Sequence, residues 1–71
     1  MQTRREQLLK AIADILEVSA VEDATILDPW DSLCVMQTVV AIDDICGKVV
    51  HGRALMGCKL VQDVLKVAEE A

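Results

Sequence analysis

Trp30-Asp31-Ser32-Leu33-Cys34-Val35-Met36-Gln37-Thr38-Val39-Val40-Ala41-Ile42-Asp43-Asp44-Ile45-Cys46-Gly47 is the stretch that decides the fold. Its apolar run, Leu33 to Cys46, has the length of a helix and stops at Gly47, a residue suited to the left-handed turn that ends helices. Pro29 restricts Asp28 to extended backbone, so the helix begins at Asp31 or Ser32, with Asp31 as its N-cap. Trp30 then precedes the cap and Val35 lies at the fourth helical position, the arrangement of a hydrophobic staple. Ser32 sits at the helix N-terminus with its hydroxyl outside the helix. Free N–H groups and the positive end of the helix dipole favour an anionic group there.

The same helix carries two stripes. Val35, Val39, Ile42 and Cys46 recur at i, i+4, i+7 and i+11 and suit a core. Leu33, Gln37, Val40 and Asp44 follow the same spacing on the other side, rotated by about half a turn or slightly less. The apolar members of this second stripe serve either as a recognition face or as contacts within a bundle that surrounds the helix. Periodicity leaves both open.

Outward from this helix, Leu8, Leu9, Ile12, Ile15 and Leu16 predict an amphipathic first helix over residues 3–17. Residues 18–30 lose the period and are rich in turn formers, while Val18, Val21, Ile26 and Leu27 are expected to pin the loop to the core. After Gly47, residues 48–52 read as a short extended link anchored by Val49 or Val50. Residues 53–57 make at most one helical turn, contributing Leu55 and Met56. Leu60, Val61, Val64, Leu65 and Ala68 restore the helical period to the C-terminus, although Cys58 and Lys59 are poor N-caps for it. The expected fold is all-α: a small bundle of three main helices and one short one.

A chain of 71 residues makes one domain, and Met1 fits a complete small protein. Apolar residues are 54% of the chain, which argues against disorder, and Trp30 is the only aromatic. The net charge of −5, without aromatic platforms, disfavours nucleic acid as a partner. The charge is also segregated: between Asp14 and Asp44 every charged residue is acidic. Between Ile45 and Lys66 they are Lys48, Arg53, Lys59, Lys66 and one acid, Asp63. The first half of the fold therefore steers toward a basic partner surface. Cys34, Cys46 and Cys58 cannot all pair and lack zinc-ligand spacing with His51, so reduced thiols acting as small hydrophobes are expected. No apolar run has the length of a membrane span and no signal-peptide pattern opens the chain, so a cytoplasmic monomer is expected.

Few catalytic constellations fit. A Ser32–His51 pair with an acid lacks a nucleophile-elbow motif, and the chain is too small for a substrate pocket plus an oxyanion hole. Asp43 and Asp44 lie on neighbouring faces of an exposed helix and read as solvated charges or docking contacts. Gly47, Gly52 and Gly57 are isolated and form no phosphate loop. No metal site is read from the sequence.

An attachment site remains for Ser32, and here the chain resembles an acyl carrier protein of the phosphopantetheine-binding carrier family. The likeness runs through the first helix and the loop with Ile26-Leu27 to Asp31-Ser32-Leu33. It continues with a helix ending at Gly47, fifteen residues after the serine, then Val50, the short third helix and Val61-Gln62-Asp63-Val64. The resemblance implies that a phosphopantetheinyl transferase joins 4′-phosphopantetheine, from coenzyme A with Mg²⁺, to the Ser32 hydroxyl. It implies that Asp31 helps place the metal during that transfer. The arm's thiol would hold an acyl, ketide or aminoacyl group as a thioester, and the chain itself would be no enzyme. Leu33, Met36, Gln37, Val40, Asp43 and Asp44 would dock acyl-transferring, condensing or ligating enzymes with basic surfaces. Val35, Val39, Ile42 and Cys46 would face a core able to sequester a chain.

The sequence departs from the fatty-acid-synthesis carriers at Trp30, where a small residue is usual, and at Gln37, where a docking glutamate is usual. Leu60 replaces the threonine that caps the last helix in those carriers, and the region with Lys48, His51 and Arg53 is basic instead of acidic. These differences point to a specialised carrier serving a dedicated lipid, polyketide-like or aminoacyl pathway. The alternative is a small helical adaptor that binds proteins through the second helix and is never modified.

Overall fold

Asp31 and Gly47 bound the central helix, and the helix stops at each for a visible reason. The Asp31 carboxylate accepts a hydrogen bond from Cys34 N–H at 2.9 Å, and Gly47 adopts φ 65°, a left-handed turn in which its N–H donates to Asp43 O. In the computed structural model, which describes residues 2–70, the helices are α1 (Arg4–Leu16), α2 (Ser32–Cys46), α3 (Gly52–Met56) and α4 (Val61–Glu70). Among the described residues there is no strand, only an isolated antiparallel bridge between Ile26 and Leu60. The fold is a small all-α bundle.

The N-terminus of α1 is capped by Thr3, whose Oγ1 accepts from Glu6 N–H at 3.1 Å. Thr3-x-x-Glu6 has the pattern of a capping box, a signal not used in reading the sequence. At the other end Glu17 takes the left-handed turn at φ 60°, and its N–H and that of Val18 return to the last carbonyls of the helix.

Each helix contributes at least one fully buried aliphatic side chain: Ile12, Ile42, Leu55, Val61 and Val64. The core face of α2 is centred differently from the expected stripe. Val35 and Ile42 are buried, but Cys34 and Thr38 join them, while Val39 and Cys46 are only half-buried at its edge. The buried arc is the side of α2 against which α1 and α3 pack, with Gly52 of α3 close to Val35. Thr38 is tolerated there because its hydroxyl donates to Cys34 O at 2.8 Å, satisfying the polar group inside its own helix.

The loop of residues 18–30 corrects two further expectations. Val21 and Leu27 are buried and anchor it, but Val18 and Ile26 are exposed. Ile26 points outward because its backbone pairs with Leu60, and alternation along extended chain then turns Leu27 inward. Likewise Val50 anchors the α2–α3 link while Val49 is exposed, and Leu55 is buried while Met56 is exposed.

The start of α4, which lacks a capping residue of the usual kind, is capped from two directions. The Asp63 carboxylate reaches back to accept from Leu60 N–H at 3.0 Å and from Lys59 N–H at 3.1 Å. The loop supplies the rest: Val61 N–H donates to Thr25 O and Gln62 N–H to Asp23 O. The bonds from Leu60, Val61 and Gln62 satisfy amide groups that a helix start otherwise leaves orphaned, and the bond from Lys59 ties the chain just before it.

The Leu60 and Lys59 amides hold the Asp63 carboxyl below the usual carboxylate range. A folded-state pKa below the unfolded one contributes stability that is present above the unfolded value and lost as pH falls through the folded one. Asp63→Asn should therefore be less stable than the parent at neutral pH, and the gap should close below about pH 4. Urea unfolding followed by circular dichroism at several pH values measures this, and a constant gap across pH would refute the capping role.

Candidate functional site

Ser32 is the first residue of α2, immediately after the cap, and it is exposed. Local sequence puts it there: Pro29 keeps the preceding backbone extended and Asp31 starts the helix one residue before the serine. The anion-favouring end of the helix is already partly occupied. The hydrogen bond from the Cys34 amide holds the Asp31 carboxyl below its ordinary value, so the residue beside Ser32 is an anion over the neutral range.

Cys34, two residues on, is buried, and burial pushes its thiol pKa up. Burial does the same to Cys58, whose Sγ donates to Ala54 O at 3.6 Å. Both are protonated small hydrophobes that present no thiolate near the serine.

The six residues expected to dock partners are all exposed, and they share one arc. Leu33, Met36 and Val40 are 64%, 66% and 63% exposed, which is unusual for large aliphatic side chains of an otherwise well-filled bundle. Gln37, Asp43 and Asp44 are exposed beside them. At 3.6 residues per turn the six span an arc of roughly 120°, opposite the buried arc through Thr38. The second stripe is therefore not enclosed by the bundle. Leu33, Gln37, Val40 and Asp44 form one wall of an open groove of about 620 Å³; Asp14 and Ile15 of α1, with Glu17 at its end, form the other. The groove begins at Asp31 and its charged walls are entirely acidic.

Tertiary contacts bring α3 against α2 near the end that begins with Ser32. The approach is close at Gly52, where a Cβ would lie 3.3 Å from Val35 Cγ1, one turn into α2. Trp30 fastens the same junction: its indole N–H donates to Leu55 O at 2.9 Å while the ring packs half-buried against the core. The indole thus braces the loop that leads into Ser32 against the last turn of α3. His51 occupies the N-cap position of α3, exposed and without a side-chain capping bond, and Arg53 is exposed beside it. The start of α3, with the exposed cation Arg53, thus packs near the first turns of α2, the end of the helix that begins with Ser32.

Sequence reasoning missed Thr38 and the pairing of Trp30 with Leu55. The first is an i to i+4 hydroxyl bond hidden in an apolar pattern; the second joins residues 25 apart and has no local signal. Among the described residues no helix is long and apolar enough to cross a membrane, and no group of three His, Cys, Asp or Glu side chains is arranged to hold a metal ion.

Compared with protein-family models, with curated proteins and with solved structures, the chain matches none of them.

Trp30→Phe keeps the apolar ring but deletes its N–H, leaving the Leu55 carbonyl without that partner. The expected loss is about 1 kcal/mol of stability, with faster amide hydrogen exchange in α3 than in α1. Uniform exchange changes across all four helices would argue against a local brace.

Proposed function

We propose that this chain is a carrier protein whose Ser32 hydroxyl is the attachment point for a 4′-phosphopantetheine arm. The observation that carries the reading is the junction at residues 30–33: an exposed serine hydroxyl at the first position of a capped helix, beside an anionic carboxylate, at the head of an exposed apolar and acidic face. The residues present fit the group. Ser32 is exposed, and its chain neighbours Asp31 and Leu33 line a wide groove, so an arm attached there has room to lie along α2 or to extend away from it.

The chemistry asked of this chain is small. The Ser32 oxygen forms the new bond to phosphorus, the pyrophosphate bond of coenzyme A breaks, adenosine 3′,5′-bisphosphate leaves, and the serine proton passes to the transferase. The Asp31 carboxylate uses one oxygen on the Cys34 amide, leaving the other free to help position Mg²⁺ during transfer. Once attached, the arm supplies a terminal thiol able to hold an acyl-type group as a thioester. The chain contributes a fixed presentation of Ser32 and a docking face, and is itself a substrate of other enzymes.

Leu33, Met36 and Val40 would give the apolar contact with partners, while Asp43, Asp44 and Gln37 would give its polar surround. An acidic surround pairs with basic partner surfaces and accelerates encounter in a salt-dependent way. The positive charge at Arg53 and on the link before α3 fits partners that differ from those of an all-acidic carrier, and supports a specialised role in lipid, polyketide-like or aminoacyl chemistry.

Intact-protein mass spectrometry after incubation with coenzyme A, Mg²⁺ and a broad-specificity phosphopantetheinyl transferase tests the attachment. The parent should gain one phosphopantetheine; Ser32→Ala should gain none while keeping its helical circular dichroism, because an exposed first-turn position tolerates alanine. If folded parent gains no mass with several transferases, the carrier reading fails and an unmodified adaptor binding through the exposed face of α2 takes its place.

Asp44→Lys should slow arm transfer at low salt, with the difference shrinking at high salt, and should change stability by about 0.5 kcal/mol or less. Equal transfer rates for parent and variant at low salt would remove Asp44 from the docking face.

A further inference from the structure

The first turn of α1 opens on two cations ahead of its one acid, Glu6. Arg4 and Arg5 are its first two residues, at the positive end of the dipole, where acidic side chains are the stabilising choice. Lys48, from the α2–α3 link, comes to the same end of the bundle, its Nζ 3.4 Å from both Ala68 O and Glu69 O at the end of α4. Three cations thus gather on a chain whose net charge is −5.

These cations rim a cavity of about 200 Å³ where the start of α1 meets the ends of α2 and α4. Its floor is apolar: Leu8, Leu65 and Ala68 are buried and Cys46 is half-buried. Among the described residues Glu69 is the one acid lining it. Arg5 is ion-paired with Asp23, but a guanidinium has five donors and that pair does not use them all. Even with Arg5 set aside, Arg4 and Lys48 outweigh Glu69. The volume is below the ~300–1,000 Å³ of sites for drug-sized ligands, so an occupant must be small.

We infer that this cavity binds a small amphiphilic anion, a carboxylate on a short unbranched alkyl chain, with its head against Arg4 and Lys48 and its tail on Leu8, Leu65 and Ala68. A cationic rim over an apolar floor selects this class, because a simple inorganic anion leaves the floor unused and an alkyl cation is repelled by the rim. The cavity lies near the opposite end of α2 from Ser32, about 21 Å along the helix axis, so the inference does not depend on loading of the serine.

The test is an NMR titration of the folded chain with butanoate, hexanoate, octanoate and octylamine, at low and high salt. Saturable shifts are expected at the amides of Leu8, Cys46, Leu65 and Ala68. Affinity should rise about fourfold per added methylene until the cavity is filled, from ~0.8 kcal/mol per buried CH₂, and should fall at high salt. Octylamine should shift none of them. Arg4→Gln, at an exposed position, should weaken octanoate binding about two- to fivefold, and Ala68→Val, which narrows the cavity, should remove the chain-length dependence. If Ala68→Val loses its helical circular dichroism, the chain-length series and Arg4→Gln decide. An equal response to octylamine, no saturable shift, or shifts confined to Leu33, Met36 and Val40 overturns the site, and none of these bears on arm attachment at Ser32.

Discussion

The bundle depends on how α4 is started. This helix has no Ser, Thr, Asp or Asn in front of it, so its first amides need acceptors from elsewhere. Asp63 answers two amides from inside the helix, and the carbonyls of Thr25 and Asp23 answer two more from the long α1–α2 loop. In return Leu27 N–H donates to Lys59 O. A loop otherwise short of regular structure is thereby tied along a few residues to the start of the last helix, and Val21 and Leu27 are carried into the core.

Once that loop is fixed, the junction around Ser32 follows. The chain leaves Leu27, passes the turn at Asp28-Pro29 and arrives at Trp30, whose indole reaches Leu55 in α3. Helix α3 is five residues long and has no side-chain cap, so it has little stability of its own. It is held by Leu55 in the core, by the Trp30 bond and by the close approach of Gly52 to Val35. Helix α3, with His51 before it and Arg53 in it, is thus positioned by packing, whereas Asp31, Ser32 and Leu33 are positioned by α2 itself.

On α2 the aliphatic side chains Leu33, Met36 and Val40 stay in water because the opposite arc, through Cys34, Val35, Thr38 and Ile42, is the one that α1 and α3 cover. Leu33, Met36 and Val40 share one arc of the helix and so form a contiguous patch, and their acidic neighbours keep the patch from being purely sticky.

Local rules were enough to read the helices from the sequence, because a cap, an apolar period and a terminating glycine act within a few residues: Asp31, the run from Leu33 to Cys46 and Gly47 set α2 without help from the rest of the chain. They were also enough to put Ser32 at a helix start, but whether Leu33 and Val40 face water or the bundle was left open by periodicity and decided by packing. Which of two neighbouring apolar residues goes inside was not legible. Val49 against Val50, Leu55 against Met56 and Ile26 against Leu27 each depend on the direction from which another element arrives. Thr38 was missed because a polar residue enters a core only when a nearby carbonyl accepts its proton, which composition does not display. The cap of α4, the Trp30 brace and the cationic cavity at Arg4 and Lys48 join residues distant along the chain, and only the tertiary structure decided them, because a hydrogen bond or a cavity between such residues exists only once the backbone has brought them together.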